Sequence, residues 1–226
     1  MKPVGVLGGM GPAATINLMR KILAAQSSEE SIEHVPLIVH ENPQVPSRIE
    51  ALIDGTGADP MPVLMSMAQD LERAGAQALA MPSHLAHQYA IAVSHATSLP
   101  FLNMIDITAK RLSQGGGQKV GMIISPAAHV TGVFVKAFEE HSLQPVWLQD
   151  EMSIKDAIKA ARKDTPPQQI SEILQSCANI LSTAGADQIL IANGILSPFA
   201  ETVQSDLPCI DSVECLAREI ADFSAK

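Results

Sequence analysis

Short apolar runs alternate along the chain with longer stretches in which apolar residues recur at helical spacing. The runs predict strands at Val4–Leu7, Leu37–His40, Ala78–Met81, Phe101–Asn103, Val120–Ile124, Val146–Leu148, Ile189–Ala192 and Cys209–Ile210. The clearest helical patterns cover Ala13–Gln26, Pro62–Ala74, Ser153–Lys163 and Pro167–Thr183. Strands that alternate with helices are typical of βαβ units, so the pattern predicts an α/β fold with parallel sheets.

The chain also carries a trace of internal duplication. The segment from Leu71 to Met81 resembles the segment from Leu181 to Ile191, 110 positions later, and the same offset pairs Ser83 with Asn193. Weaker matches in the same order pair Val4–Leu7 with Val120–Ile123, Pro12–Thr15 with Pro126–Ala128, and Leu99–Leu102 with Leu207–Ile210. We therefore predict two similar α/β halves. Ligands of parallel sheets bind beyond the carboxyl ends of the strands, so Ser83 and Asn193 are expected to face each other across a cleft.

Composition narrows the possible partners. Hydrophobic residues make up 46% of the 226 positions, which is ample for a large core, and the formal net charge is −9. An acidic protein is poorly suited to bind nucleic acid or an anionic membrane. The apolar run at Val4–Leu7 is too short to cross a bilayer. The 3 cysteines include no CxxC pair, which argues against a disulfide framework and favours a reducing cytoplasm.

Two loops after predicted strands are suited to bind an anion. Gly8-Gly9-Met10-Gly11-Pro12 lies between a strand and a helix, where glycines allow a close backbone approach and the helix start offers free N–H groups. The proline-stiffened loop Asn42–Arg48 places Arg48 beyond the next strand, and an arginine can hold a carboxylate through two hydrogen bonds. The non-functional alternatives are a glycine turn without a ligand and a solvent-exposed arginine, and the two loops by themselves are compatible with either interpretation.

The remaining polar candidates follow the two duplicated strands. Ser83, His84 and His87 form one group, in which a histidine could act as a base or the serine could simply cap a helix. Asn193 precedes a glycine and equally fits a tight turn, while Ser125 ends the first strand of the second half. No partner for the histidines has metal-ligand spacing, so no metal site is expected.

Taken together and in this order, these segments resemble the aspartate/glutamate racemase family. Gly8–Thr15 is close to the family's GGMGPxAT, and Asn42–Arg48 is close to its N-x-P-x-I-P-D-R, with Ser47 in place of Asp. The segment Pro82–His87 corresponds to P-C-N-T-x-H, and the segment at Asn193 falls where the family has G-C-T-E. Ser125–Ala128 stands for a Thr-x-x-Thr loop, and Phe134 for a tyrosine.

The resemblance implies two pseudo-symmetric domains, residues 1–99 with 208–226 and residues 100–207, each a parallel sheet flanked by helices. It also implies a ligand cleft between them, no cofactor, and a homodimer. The ligand would be a small amino acid or carboxylate, held by Gly9, Met10, Gly11, Arg48 and Ser125. In this family two cysteines flank the substrate Cα, and here Ser83 and Asn193 occupy those positions.

Three functions remain possible from the sequence. The first is binding of an amino acid or carboxylate without two-thiol racemisation, because a hydroxyl is a far weaker acid than a thiol and an amide is not a usable base. The second is an active isomerase or epimerase in which His84, His87 or Ser83 replaces the cysteines. The third is a non-catalytic, partner-binding protein. Whether the chain is an enzyme is therefore left open by its sequence.

Overall fold

A computed structural model describes residues 1–26, 30–163 and 165–226 of the chain. The strands are β1 (Val4–Gly8), β2 (Leu37–Glu41), β3 (Ala78–Ala80), β4 (Phe101–Leu102), β5 (Lys119–Ile124), β6 (Gln144–Val146), β7 (Gln188–Ala192) and β8 (Cys209–Asp211). The α-helices are α1 (Pro12–Ala24), α2 (Met61–Arg73), α3 (Ala90–His95), α4 (Met104–Gln114), α5 (Pro126–Val130), α6 (Val135–Glu140), α7 (Met152–Ala161), α8 (Pro167–Thr183) and α9 (Ser212–Ala225). All the predicted strands and helices are confirmed, although the sixth strand overlaps its prediction only at Val146.

The strands form two four-stranded sheets with the orders β2-β1-β3-β4 and β6-β5-β7-β8. Every strand pair is parallel, and the two orders are the same when the second half is superposed on the first. This confirms the predicted α/β class with two similar halves. In both sheets the carboxyl ends of the strands lie at one edge, which is where a doubly wound sheet binds its ligands.

Helices cover both faces of each sheet, and their ends repeat between the halves. Helix α2 ends before Gly75 and helix α8 before Gly185, with φ angles of 97° and 89°. In each case the amide of the residue after the glycine donates a hydrogen bond to a carbonyl oxygen of the helix. Ala76 N donates to Leu71 O at 3.0 Å, and Ala186 N donates to Leu181 O at 3.1 Å. Glycine tolerates this left-handed conformation without strain, so the same residue ends the same helix in both halves.

The last helix of each half packs on the sheet of the other half. Helix α4 follows β4 of the first sheet, yet Ile105, Ala109 and Leu112 join the core of the second sheet. Helix α9 follows β8 of the second sheet, yet Leu216 and Ile220 join the core of the first. The halves are thus tied together by an exchange of helices. The predicted division into residues 1–99 with 208–226 and residues 100–207 stays a prediction.

None of the helices in the described part of the chain is both long and apolar enough to span a bilayer.

Candidate functional site

The loop after β1 is packed tightly against the loop after β2. Gly9 has a φ of 89°, and its amide donates a hydrogen bond to Thr15 Oγ1 over 3.0 Å. A Cβ added to Gly9 would lie 2.3 Å from the backbone carbon of Asn42, closer than two non-bonded atoms can approach. Only glycine therefore fits here, and the close contact fixes the two predicted anion-binding loops relative to each other.

Arg48 is half-buried and bridges the same two loops. Its Nη1 donates to the carbonyl oxygens of Val45 and Pro46 at 3.2 and 2.9 Å, and Nη2 donates to Met10 O at 3.4 Å. A guanidinium has five N–H groups, so three are engaged with described residues and two remain for a ligand. Burial lowers the pKa of Arg48 from its usual value, but an arginine remains charged at any physiological pH.

His87 holds the segment after β3 in place through both of its ring nitrogens. Nε2 accepts a hydrogen bond from the Met104 amide at 3.1 Å, so the proton is on Nδ1, which donates to Ser83 O at 2.8 Å. The side chain is buried, and this desolvation lowers the pKa of His87 to about 4. With both nitrogens engaged, the ring is placed to support the backbone around Ser83 rather than to take a proton from a ligand.

His84 joins the Ser83 segment to the second half. Its Nε2 is 2.6 Å from Ser212 Oγ; that hydroxyl donates its proton to Ile191 O at 3.2 Å, so His84 is the donor and Ser212 the acceptor of the shorter hydrogen bond. The imidazole lies 6.3 Å from the ring of Phe134, centroid to centroid. Burial, and secondarily the neighbouring His87, lower the pKa of His84 to about 3, so the ring is neutral at physiological pH.

Asn193 shapes the matching turn after β7. Its Oδ1 accepts hydrogen bonds from the amides of Ile195 and Leu196 at 2.9 and 3.3 Å. The next residue, Gly194, is so close to the first half that an added Cβ would lie 2.8 Å from Ala14 Cβ and 3.4 Å from Pro82 O. The neighbours of Ser83 and Asn193 thus meet at the junction of the two halves. Ser83 and Asn193 themselves are both buried.

Ser125 caps helix α5 through its hydroxyl, which accepts a hydrogen bond from the Ala128 amide at 3.3 Å. It therefore lies at the carboxyl end of β5, as the sequence predicts, but with a structural partner of its own. Its predicted part in ligand binding stays a prediction, as do those of Gly9, Met10, Gly11 and Arg48.

Comparison with known proteins agrees with this architecture. A family model described as Asp/Glu/hydantoin racemase matches residues 7–220 of the chain. The chain belongs to this family. It is 23% identical over 223 residues to the broad specificity amino-acid racemase RacX of Bacillus subtilis (strain 168), with 95% of each chain covered.

Solved structures of the family superpose along the whole chain. The Picrophilus torridus aspartate racemase is 26% identical, with a TM-score of 0.88 over 100% of this chain and 95% of the other. An aspartate racemase homologue from Pyrococcus horikoshii OT3 is 18% identical, with a TM-score of 0.81 over 100% of both chains. The second likeness concerns the fold alone.

The cysteines of this family member lie away from the strand-end loops. Cys177 is buried in helix α8, and Cys209 and Cys215 lie on β8 and α9, all as free thiols. Burial raises the pKa of Cys177 and Cys209 to about 11 and that of Cys215 to about 12. A thiol acts as a base or nucleophile only as a thiolate, so none of the three is suited to proton transfer at neutral pH.

A histidine that the sequence analysis missed lies at the carboxyl edge of the second sheet. His129 Nδ1 is 2.5 Å from Glu151 Oε1, and the imidazole stacks on Trp147 with 3.8 Å between ring centroids and 18° between planes. One signal was available: if the match of Pro12–Ala14 with Pro126–Ala128 is extended by one position, Thr15 aligns with His129. Its partners come from a loop with no motif, so the pair is visible only in three dimensions.

A large cavity of about 870 Å³ lies elsewhere, between helices α4 and α9 and strand β8. Its wall includes Lys21, whose Nζ is 3.1 Å from Asp211 Oδ2 and 3.3 Å from Glu214 Oε2. None of the predicted site residues lines it. Because Lys21 and Asp211 are both buried and pair with one another, we interpret them as a tie between α1 and β8 rather than as part of the ligand site.

Proposed function

We propose that this chain binds a small amino acid or a related carboxylate at the strand ends between its two halves, without a cofactor and without racemising it through two thiols. The observation that supports the proposal most directly is the geometry of Arg48. Its guanidinium donates hydrogen bonds to the proline-containing loop after β2 and to the glycine-containing loop after β1. Two of its N–H groups have no partner among the described residues, and they offer a carboxylate the paired donors that it prefers.

The absence of two-thiol chemistry is inferred from the residues at the family's cysteine positions. Ser83 and Asn193 stand there, and neither side chain can hold a negative charge near neutral pH as a thiolate can. Asn193 Oδ1 is moreover engaged with two backbone amides, as a turn-forming side chain would be. The loops that would bind a carboxylate are thus kept, while the groups that would move the proton are replaced.

The test is a calorimetric titration that measures the binding of each enantiomer of aspartate and glutamate. We expect saturable binding to the unmodified protein and a loss of about 10- to 100-fold in affinity for Arg48→Ala, the range for a hydrogen bond to a charged group. Arg73→Ala is the matched control, because Arg73 ends helix α2 at the opposite edge of the sheet and is exposed. Affinity that is the same in all three proteins would refute a role for Arg48.

A second candidate function is an active isomerase or epimerase that uses a histidine. The sequence suggests His84 and His87 for this role. Both rings are buried, and their hydrogen bonds to a carbonyl, an amide and a hydroxyl group argue against proton transfer to a ligand. The His129–Glu151 pair is the observation that favours the candidate. Failure of every amino acid and carboxylate to bind would favour the third possibility, a partner-binding protein.

We further propose a homodimer that uses the outer face of helix α1. Ile16, Met19 and Leu23 recur at helical spacing on that face and are 62%, 41% and 57% exposed. Such a contiguous apolar stripe on a solvent-exposed helix face favours a protein partner, and a second copy of the chain is the partner that the family resemblance suggests.

Three free cysteines also support the proposal that the protein works in a reducing cytoplasm.

A further inference from the structure

Helix α5 borders the proposed ligand site from the second half. It begins directly after β5, at the carboxyl edge of the second sheet, where Ser125 caps it. Its C-terminal end contacts the first half, because Gln88 Nε2 donates to Thr131 O over 2.8 Å. Phe134, three residues after Thr131, contacts His84, the neighbour of Ser83. Helix α5 therefore starts at the strand-end edge of the second half, and the residues directly after it contact the segment that carries Ser83.

Within α5, His129 has the surroundings of a general base. The Glu151 carboxylate accepts the hydrogen bond from Nδ1, which fixes the tautomer and leaves the lone pair on Nε2. Trp147 holds the plane of the ring by stacking. Among the described residues Nε2 has no hydrogen-bond partner, and 36% of the side chain is exposed. A base with one nitrogen oriented by a carboxylate and the other one free is the arrangement that catalytic histidines share.

The two histidines near Ser83 lack these properties. His87 uses both nitrogens for backbone contacts, and His84 donates to a hydroxyl from a buried position. Neither has a carboxylate partner among the described residues. His129 is thus better placed to exchange a proton with a ligand than the histidines beside the substituted cysteine.

We propose that His129, oriented by Glu151 and Trp147, is the proton-transfer group of this site and acts on the Cα–H bond of a bound carboxylate. The proposal rests on the proposed function, since it requires that the ligand binds at these strand ends. It assigns the chain a one-base chemistry on small carboxylic acids that carry a hydrogen at Cα, amino acids included.

The step is a reversible proton transfer. The Cα–H bond breaks, its proton goes to His129 Nε2, and its electron pair moves into the adjacent carboxylate to give an enediolate. The imidazolium that forms is stabilised by Glu151 through Nδ1–H, and Arg48 would stabilise the charge that builds on the carboxylate oxygens. The proton exchanges with water and returns to Cα, so no other reactant is consumed. A single base on one face predicts exchange of the Cα proton with retention of configuration.

Proton exchange in D2O tests the assignment. Each enantiomer of aspartate and glutamate is incubated with the protein, and loss of the Cα proton signal is followed by NMR. We expect exchange above background with the unmodified protein, a fall of about 100-fold or more for His129→Gln, the range for loss of a general base, and a smaller fall for Glu151→Gln. His95→Gln, an exposed histidine at the end of α3, is the control and should exchange as the unmodified protein does.

Binding of the same ligands by each variant separates this proposal from the one on which it depends. His129→Gln should bind with unchanged affinity while exchange is lost, whereas a merely structural role would reduce both. Glu151→Gln preserves the shape of a partly exposed side chain, so it gives an answer even where the His129 variant does not fold. Undiminished exchange in His129→Gln, or binding without exchange in the unmodified protein, would overturn the assignment. Absence of any binding would overturn the proposed function itself.

Discussion

His84 directly precedes a short 3-10 helix and His87 lies within it, and both side chains are buried. The sequence suggests them as bases because imidazole titrates near neutral pH. Burial reverses this expectation, because removal of a ring from water disfavours its charged form. Their partners, Ser212 and the Met104 amide, come from other parts of the chain, so no reading of the local sequence could find them.

The two buried histidines predict that acid destabilises the protein before its carboxylates titrate. The pKa values are about 3 for His84 and about 4 for His87 in the folded protein, against 6.5 in the unfolded chain. The unfolded state therefore binds more protons as the pH falls through 6.5, and each histidine should remove about 2 kcal/mol of stability between pH 7.5 and pH 5. Well above pH 6.5, where both rings are neutral in the folded and the unfolded state, neither histidine makes stability depend on pH.

The free energy of unfolding, measured by urea titration at half-unit steps from pH 7.5 to pH 5, checks this expectation. His84→Gln keeps a donor for Ser212 but cannot titrate, so its slope below pH 6.5 should be smaller by about one proton, or 1.4 kcal/mol per pH unit. The same series on the unmodified protein is the control. Parallel slopes for the two proteins would show that His84 is not held neutral.

For helices and strands, the period of the apolar residues predicts the type of element better than it predicts the residues at which the element begins and ends. The sixth strand was expected at Val146–Leu148 and forms at Gln144–Val146. Leu148 is buried in the core and Trp147 stacks on His129, so both serve packing after the strand has ended. An apolar side chain indicates that a position is buried, whereas the hydrogen bonds of a strand are made by backbone groups and do not depend on that side chain. A run that continues into a buried loop therefore misplaces the strand.

The loops at the carboxyl ends should be intolerant of added volume where the halves meet. A Cβ at Gly194 would lie 2.8 Å from Ala14 Cβ, and both atoms are fixed to backbone. Gly194→Ala should therefore lower the free energy of unfolding by about 1–3 kcal/mol, the range for overpacking. Thermal or urea unfolding of the purified variant measures the loss.

A double-mutant cycle shows whether the contact itself is responsible. Ala14→Gly removes the atom that the new methyl group would strike, so the double variant should be more stable than the sum of the two single losses implies, by about 1 kcal/mol. Ala14→Gly alone accounts for the change in helix propensity. Simple additivity would show that the halves are not in contact at Gly194.

For the whole molecule, the two halves form one unit because α4 and α9 each cover the sheet of the other half. Neither half retains its own last helix. Separation of the halves would expose the apolar faces of both helices and of both sheets, at about 25 cal/mol for each Å² of apolar surface returned to water. The exchange also holds Ser212, at the start of α9, beside His84.

The exposed stripe on α1 gives a prediction about assembly. In size-exclusion chromatography with light scattering, the unmodified protein should have twice the mass of the chain. Leu23→Lys places a charge in the stripe, so it should shift the equilibrium to the monomer, because a buried unpaired charge is strongly unfavourable. Ile180→Lys, on helix α8 and 52% exposed compared with 57% for Leu23, is the matched control. A monomeric unmodified protein, or a dimer that Leu23→Lys leaves intact, would contradict the interface.

The sequence by itself determined the α/β class, the duplicated halves, the strands and the loops that carry Gly9, Arg48, Ser83 and Asn193. These follow from local properties: apolar period, turn chemistry and repetition along the chain. Only the tertiary structure decided how the helices exchange between sheets and which polar atoms meet. His87 gained the Met104 amide, and His129 gained Glu151 and Trp147, through contacts between segments that are separated in sequence. Hydrogen bonds and burial set the charge and freedom of a side chain, and both depend on where the rest of the chain folds.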